Sequence, residues 1–449
     1  MSERNDYLIE KNPLSALTIF ALPMIVGNLF QQTYTMADSA IVGRYVSEQA
    51  LAAVGASYSF TNIFIWIAAG GGIGASVIVS RYFGAKQYEK MKLAVFTSFL
   101  SFLVISIALG GVGLLFGRRI MMALNTPADV LDLATTYLNI YFLGLPFLFM
   151  YNILSSMFNA LGKSRIPLYF LIFSSVFNVI LDYILVTSFD MGVAGVAWAT
   201  LIAQGISAVL SYLVFLRTLR KFSVTRTAVF SGRELAAMAK IALPSILQQS
   251  TVSIGMMLVQ SVVNRFGSEA LAGFSAASRI ESICVVPMVA VGNALSSYTA
   301  QNIGAGKKDR VVTGYHAANE LVVVCAVIIC FALETFNHGI TTFFLADNGT
   351  PTAIATGENY MIFMGWFFGL IGFKMAVDGL LRGAGDMKMS TVANLANLSV
   401  RVAVAMIFAP IYGIALVWYA VPIGWFVNWL ISFLQYRTGK WKEIYSASR

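Results

Sequence analysis

The stretch LSALTIFALPMIVGNLFQQTYTMADSAIV, residues 14–42, decides how this chain is read. It is long enough to cross a bilayer as a helix, which takes about 20 apolar residues. Near its end stands a carboxylate, Asp38. A charge at bilayer depth costs roughly 2.5–3.5 kcal/mol on insertion scales, so an acid kept there is a candidate functional residue. A second acid, Asp182, lies in a later apolar stretch, four residues after Asn178. Four residues is about one helical turn, so Asn178 and Asp182 share a helix face. Two intramembrane acids and an amide point to a cation site inside a transport protein.

Apolar runs recur from end to end. Of 449 residues, 58% are hydrophobic and 11% are charged, against about 25% charged in a soluble domain. Twelve spans are read, at about 14–42, 51–80, 93–117, 128–160, 166–189, 193–216, 236–264, 270–302, 311–336, 353–381, 389–411 and 413–436. The expected fold class is an all-α polytopic membrane protein with twelve transmembrane helices. The 37 glycines suit closely packed membrane helices.

The basic residues give the orientation. Alternate connections, including both termini and the stretch between Arg217 and Lys240, hold 23 Lys and Arg, whereas the opposite set holds four: Arg44, Arg118, Arg119 and Arg265. The positive-inside rule then puts both termini in the cytoplasm. The net charge of +9 is scattered over separate loops and is no nucleic-acid footprint. The polar start, MSERNDYLIEKNP, lacks a signal-peptide pattern. Cys284, Cys325 and Cys330 all fall in apolar spans and read as small buried hydrophobes. His316 and His338 form no metal-ligand cluster. No nucleophile–base or metal-ligand pattern supports an enzyme, and no filter-like loop supports a channel.

The two halves repeat. IFALPMIV (19–26) echoes KIALPSIL (240–247), FGAKQYEK (83–90) echoes IGAGKKDR (303–310), and NALGKSRIP (159–167) echoes RGAGDMKMS (382–390), each about 220 residues apart. RYVSEQALAAVGAS (44–57) likewise echoes RFGSEALAGFSAAS (265–278). Six spans per half is an even number, so both halves insert the same way. Two six-helix lobes are expected, related by a pseudo-two-fold axis along the membrane normal. Their boundaries are residues 1–216 and 236–449, joined by a cytoplasmic linker at 217–235. The repeat also shows where symmetry breaks. Asp38 aligns with Val259, Asn178 with Arg401 and Asp182 with Ala405, so the acidic constellation belongs to the first half alone.

These residues resemble the multidrug and toxic compound extrusion (MATE) family. The resemblance rests on ALP at 21–23, the D-x-x-x-x-G-R pattern of Asp38, Gly43 and Arg44, LAAVG at 51–55, FGA at 83–85 and ALGKSRIP at 160–167. It covers essentially the whole chain. It implies two lobes in a V shape and export of bulky, often cationic or amphiphilic compounds by antiport of H⁺ or Na⁺. Within the family, the acidic first and fifth spans resemble the DinF-like prokaryotic branch. There the cation site is a first-span Asp, a fifth-span Asn and Asp, and a sixth-span Thr, which Asp38, Asn178, Asp182 and Thr200 match here. A family-typical first-span proline corresponds to Pro23. The other bacterial branch carries a seventh-span Glu, where this chain offers only neutral residues such as Gln248, Gln249 and Gln260.

The remaining candidates come from position. Gln31, Tyr34 and Thr35 precede Asp38 by about one and two turns and are expected to line the same substrate cavity, with Asn152 of the fourth span a further polar candidate. Pro23 removes a backbone hydrogen bond and should kink the first span. In the second half, Arg279, Glu281, Lys374, Asp378 and Arg401 lie in or near spans, with Lys374 and Asp378 one turn apart; an internal ion network is expected. The functional expectation is a monomeric exporter in a prokaryotic cytoplasmic membrane, without cofactor, coupling H⁺ or Na⁺ to lipophilic organic cations. The alternative is a flippase for lipid-linked precursors or oligosaccharides on the same superfamily architecture. That reading would use Arg279, Lys374 and Arg401 as phosphate ligands.

Overall fold

The computed structural model describes residues 6–123, 126–224, 228–345 and 349–444. Within them, the side chains of residues 37–40, 42–44, 48, 51 and 59 lie outside the described set. Every regular element among the described residues is helical. In a bilayer no water satisfies the backbone, so each span must close its hydrogen bonds internally, and a helix does so.

A one-turn helix α1 (Tyr7–Glu10) precedes α2 (Pro13–Tyr45), α3 (Glu48–Gly84), α4 (Tyr88–Ala123), α5 (Ala128–Ala160), α6 (Arg165–Thr187) and α7 (Gly192–Arg220). Then come α8 (Gly232–Val263), α9 (Ser268–Gly304), α10 (Lys308–Leu345), α11 (Pro351–Gly365), α12 (Phe368–Ala384), α13 (Met387–Tyr412) and α14 (Ala415–Arg437). Among the described residues, eleven helices are long and apolar enough to cross a membrane, and α11 with α12 forms a pair bent by 53° that brings the number to twelve if it is one span. The expected all-α, twelve-span architecture is therefore present. The span read at 353–381 is the bent pair. Its break at Trp366–Phe367 falls between Gly365 and Gly369, where helix propensity is lowest. There the Trp366 indole N–H turns outward to Glu334 (2.8 Å), while Phe368 turns into the core.

Helix ends carry the repeat into backbone geometry. Lys86, Gly162, Gly306 and Gly385 all have positive φ, at 56°, 74°, 74° and 83°. After each, the next N–H reaches back five residues: Gln87 to Tyr82 (3.0 Å), Lys163 to Phe158, Lys307 to Asn302 and Asp386 to Leu381 (each 2.8 Å). This is the same left-handed helix stop used four times. Three of the four use glycine, which alone adopts that conformation without steric cost, and Lys86 is the exception. At helix starts, Ser47 accepts from the Ala50 N–H (3.0 Å) and Thr350 from the Ala353 N–H (3.2 Å), each satisfying an orphan donor.

The chain folds as two compact units, one of Val26–Ile246 and one joining the described part of Met1–Ile25 to Leu247–Arg449. Both division points fall inside helices, α2 and α8, two residues after Pro23 and Pro244. In the Val26–Ile246 unit, Phe142 and Phe149 fill a core with Leu138 and Leu145. A Cβ at Gly113 would collide with the Phe142 ring, so α4 and α5 meet on a glycine. In the other unit, α9 and α12 touch backbone to backbone: a Cβ at Gly379 would overlap the Gly292 carbonyl oxygen. That unit also grips α1. Asn302 Nδ2 donates to the Leu8 carbonyl (3.1 Å), Lys307 Nζ to Ile9 (3.2 Å) and Arg310 to Lys11 (2.7 Å). Cations at a helix C-terminus complement its dipole.

Candidate functional site

The polar residues of the first half converge on three helices of one unit. Asn178 and Asp182 sit one turn apart on α6, as their spacing requires, and both are buried, at 2% and 0% exposure. Thr200 stands on α7 beside them, with its Oγ1 3.4 Å from the Asn178 amide group; the hydroxyl donates to the Val196 carbonyl of its own helix (3.1 Å). From α2, the Tyr34 hydroxyl hydrogen-bonds the Asn178 amide. The orientation of that amide follows from its neighbours. A carboxylate only accepts, so the amide nitrogen must face Asp182. Turned so, Nδ2 donates to Asp182 Oδ2 (3.3 Å), Oδ1 accepts from the Thr200 N–H (3.1 Å), and the Tyr34 hydroxyl remains in hydrogen-bond contact with Nδ2. Asp38 lies on α2 about one turn beyond Tyr34, but its side chain, with that of Arg44, is outside the described residues.

The described part of the site offers only oxygen and amide groups, and among the described residues no three His, Cys, Asp or Glu cluster as metal ligands. Oxygen donors suit a proton or a hard cation and exclude soft-metal chemistry. Taking a charge out of water is costly. A carboxylate at 0% exposure next to an amide is therefore a place where binding or losing a cation changes local energy strongly.

A small cavity continues the site. It is lined by Thr200 and Gln204 of α7 and by Tyr137 and Tyr141 of α5, with room for about one water molecule. The sequence reading missed Tyr137, Tyr141 and Gln204. A signal was present: Gln204 follows Thr200 by one turn, and Tyr141 follows Tyr137 by one turn.

Other sequence candidates stand elsewhere. The Thr35 hydroxyl bonds the Gln31 carbonyl (2.9 Å), and Gln31 is exposed. Asn152 Nδ2 bonds the Leu148 carbonyl (2.9 Å) of its own helix, α5. Pro23 is buried within an uninterrupted α2.

Of the five charges of the second half, two form a buried ion pair. Lys374 Nζ lies 3.2 Å from Asp378 Oδ2, with both side chains buried. Lys374 also donates to Asn394 Oδ1 (3.1 Å), and Asp378 accepts from Ser432 (2.6 Å) and Ser390 (3.3 Å). Glu281 instead accepts a hydrogen bond from Tyr360, whose ring stacks between Phe274 and Trp418 at centroid distances of 5.5 and 5.3 Å. Arg401 reaches Met256 Sδ (3.5 Å), and Arg279 is exposed. Among the described residues, no ion pair joins Arg279, Glu281 or Arg401 to an opposite charge. The three cysteines are free thiols.

Comparison with known proteins matches the same framework. The MatE family model matches residues 23–184 and again 244–407, once per half of the repeat. The chain is 31% identical to "Probable multidrug resistance protein YpnP" of Bacillus subtilis over 435 residues, 96% of this chain and 97% of that protein. It is 24% identical to "Multidrug export protein MepA" of Staphylococcus aureus, covering 92% and 91% of the two chains. Among solved structures it resembles a MATE transporter in complex with MaL6, with a TM-score of 0.91 at 23% identity over 99% of both chains. It also resembles a MOP superfamily transporter from Pyrococcus furiosus, with a TM-score of 0.89 at 23% identity over 99% of both. These structural likenesses carry the fold.

Proposed function

The chain belongs to the MatE family of multidrug and toxic compound extrusion transporters, and on that premise we propose that it is a secondary multidrug exporter. It antiports H⁺ or Na⁺ against lipophilic organic cations by alternating access. The observation that carries the reading is the joining of Tyr34, Asn178, Asp182 and Thr200 on α2, α6 and α7. Asp38, on the same helix as Tyr34, completes the cation site in this reading.

The chemistry follows from burial. Asp182 is enclosed, so a proton or Na⁺ relieves the cost of its charge. Arrival of that cation changes what the Asn178 amide faces, and through it what Tyr34 bonds. The first span is thus tied to the occupancy of a site on the fifth. Coupling needs only that the cation bind one conformation better than the other. Acidic and aromatic groups favour organic cations over anions, by charge and by ring-face contact. The flippase alternative loses a ligand, because Lys374 is already neutralised by Asp378. The remaining elements of the proposal are lobes of 1–216 and 236–449 about a pseudo-two-fold axis, a linker at 217–235, a monomer without cofactor, and both termini in the cytoplasm of a prokaryotic inner membrane.

The test is transport of a fluorescent organic cation in proteoliposomes, with the proton and sodium gradients imposed separately. One gradient should drive export, and Asp38→Asn or Asp182→Asn should abolish it while the protein still inserts and elutes as a folded species. Undiminished export by both variants would reject the site. Transport of organic anions in preference to cations would reject the substrate class.

A further inference from the structure

Between α3, α4, α5 and the first half of α8 lies a second cavity, of about 140 Å³. We propose that it holds part of one acyl chain of a bilayer phospholipid, retained as a structural ligand.

The wall chemistry selects the occupant. Ile67, Phe102, Phe149, Met238 and Ala242 present carbon to the cavity. Its two wall hydroxyls are committed to their own helix: Ser98 donates to the Val95 carbonyl (2.7 Å) and Ser101 to Thr97 (2.8 Å). A buried water needs two to four polar partners, and dry apolar cavities of about 150 Å³ accept apolar guests instead. A headgroup, sugar or ion would lose its hydration here without replacement. Gly71 fixes the depth. A Cβ there would come within 2.7 Å of Phe102 Cζ, so any larger residue would drive the ring into the space.

The position selects the source. Ile105 of α4 and Leu243 of α8 line the cavity, yet remain 43% and 61% exposed, which marks its mouth. The exposed apolar face of α4 continues past the mouth through Leu103, Val104 and Ile107, and α4 is the most apolar of the spans. Such a face on a membrane span is in contact with lipid chains. The cavity is thus a side pocket of the bilayer's own hydrocarbon. Along α8 it runs from Leu235 to Ile246, about 16 Å at 1.5 Å per residue, an elongated shape that suits a chain. Its near end lies one turn inside the start of α8, so the headgroup would sit at the membrane surface on the linker side.

Native mass spectrometry of the detergent-purified protein tests this without any transport measurement, so its failure would leave the export reading untouched. The wild-type protein should retain one phospholipid. Ala239→Phe, which fills the cavity from α8, should retain at least tenfold less, while Leu103→Phe on the lipid-facing side of α4 should match the wild type. Added long-chain phospholipid should raise the thermal midpoint of the wild type and leave that of Ala239→Phe unchanged. Dihexanoyl lipid of the same headgroup should raise neither midpoint. Should Ala239→Phe fail to fold, Gly71→Ala serves in its place by displacing Phe102. Retention by the filled variant equal to wild type, or equal stabilisation by long and short chains, would overturn the proposal.

Discussion

Removing Lys374 alone should be far more damaging than removing the whole ion pair it belongs to. Lys374 and Asp378 lie 3.2 Å apart on one face of α12, with side chains only 9% and 8% exposed. Asp378 is further held by the Ser432 hydroxyl at 2.6 Å. Lys374→Met keeps the volume and removes the charge, leaving a carboxylate with two hydroxyl donors and its ion pair broken. Breaking a buried pair from one side costs about 3–5 kcal/mol. Lys374→Met with Asp378→Leu removes both charges; such apolar replacement is about neutral, apart from the attraction between Asp378 and Arg382 that is also lost. The double variant should therefore recover most of the single variant's loss. Denaturant titration in detergent micelles measures both, with fluorescence-detected size exclusion confirming that each elutes as a folded species. The double variant should also still export, because the pair then serves only the fold. A Lys374→Met protein as stable as wild type would refute the reasoning, as would a double variant no better than the sum of its two singles.

Three other outcomes are expected. Tyr34→Phe should fold normally but weaken coupling, since it removes the hydroxyl that links α2 to Asn178; gradient-driven uptake that matches wild type at every gradient would contradict this. Lys86→Gly should stabilise the protein by about 0.5–1 kcal/mol, because relief of a left-handed residue, worth roughly 1–2 kcal/mol, exceeds glycine's added unfolded-state entropy; thermal midpoints compare the two. Gly379→Ala should destabilise by at least about 1–3 kcal/mol, since its methyl would overlap the Gly292 carbonyl oxygen and neither helix backbone can yield locally; a fully stable, monodisperse variant would show that α9 and α12 are less tightly apposed.

Much of this protein was legible without coordinates because a bilayer is a demanding solvent. It forces long apolar runs into helices, so composition and run length revealed the spans, and residue counting revealed the repeat. The one-turn spacing of Asn178 and Asp182 already placed them on one face. The break between α11 and α12 was not legible, because no charge or proline interrupts the run from Asn359 to Phe373 and the bend depends on where Trp366 and Phe368 find partners. Charge counting led to the expectation of internal ion pairing in the second half, and Lys374 with Asp378 supplies it, but not to the identity of the partners. Five charges spread over three stretches of sequence do not reveal that Glu281 takes a tyrosine proton donor while Lys374 takes Asp378.

The sequence by itself determined the all-helical membrane architecture, the doubled six-span order and the asymmetry of the acidic residues. Each of these depends on local spacing or on solvent, and both are written in one dimension. Only the tertiary structure decided that Tyr34 of α2 meets Asn178 of α6 and Thr200 of α7. Only it decided that α1 is held by Asn302, Lys307 and Arg310, and that an apolar cavity opens beside Gly71. Those contacts join residues tens to hundreds of positions apart. Their geometry is set by which helix faces pack closely, and an apolar run of nearly uniform side chains does not encode that in its pattern.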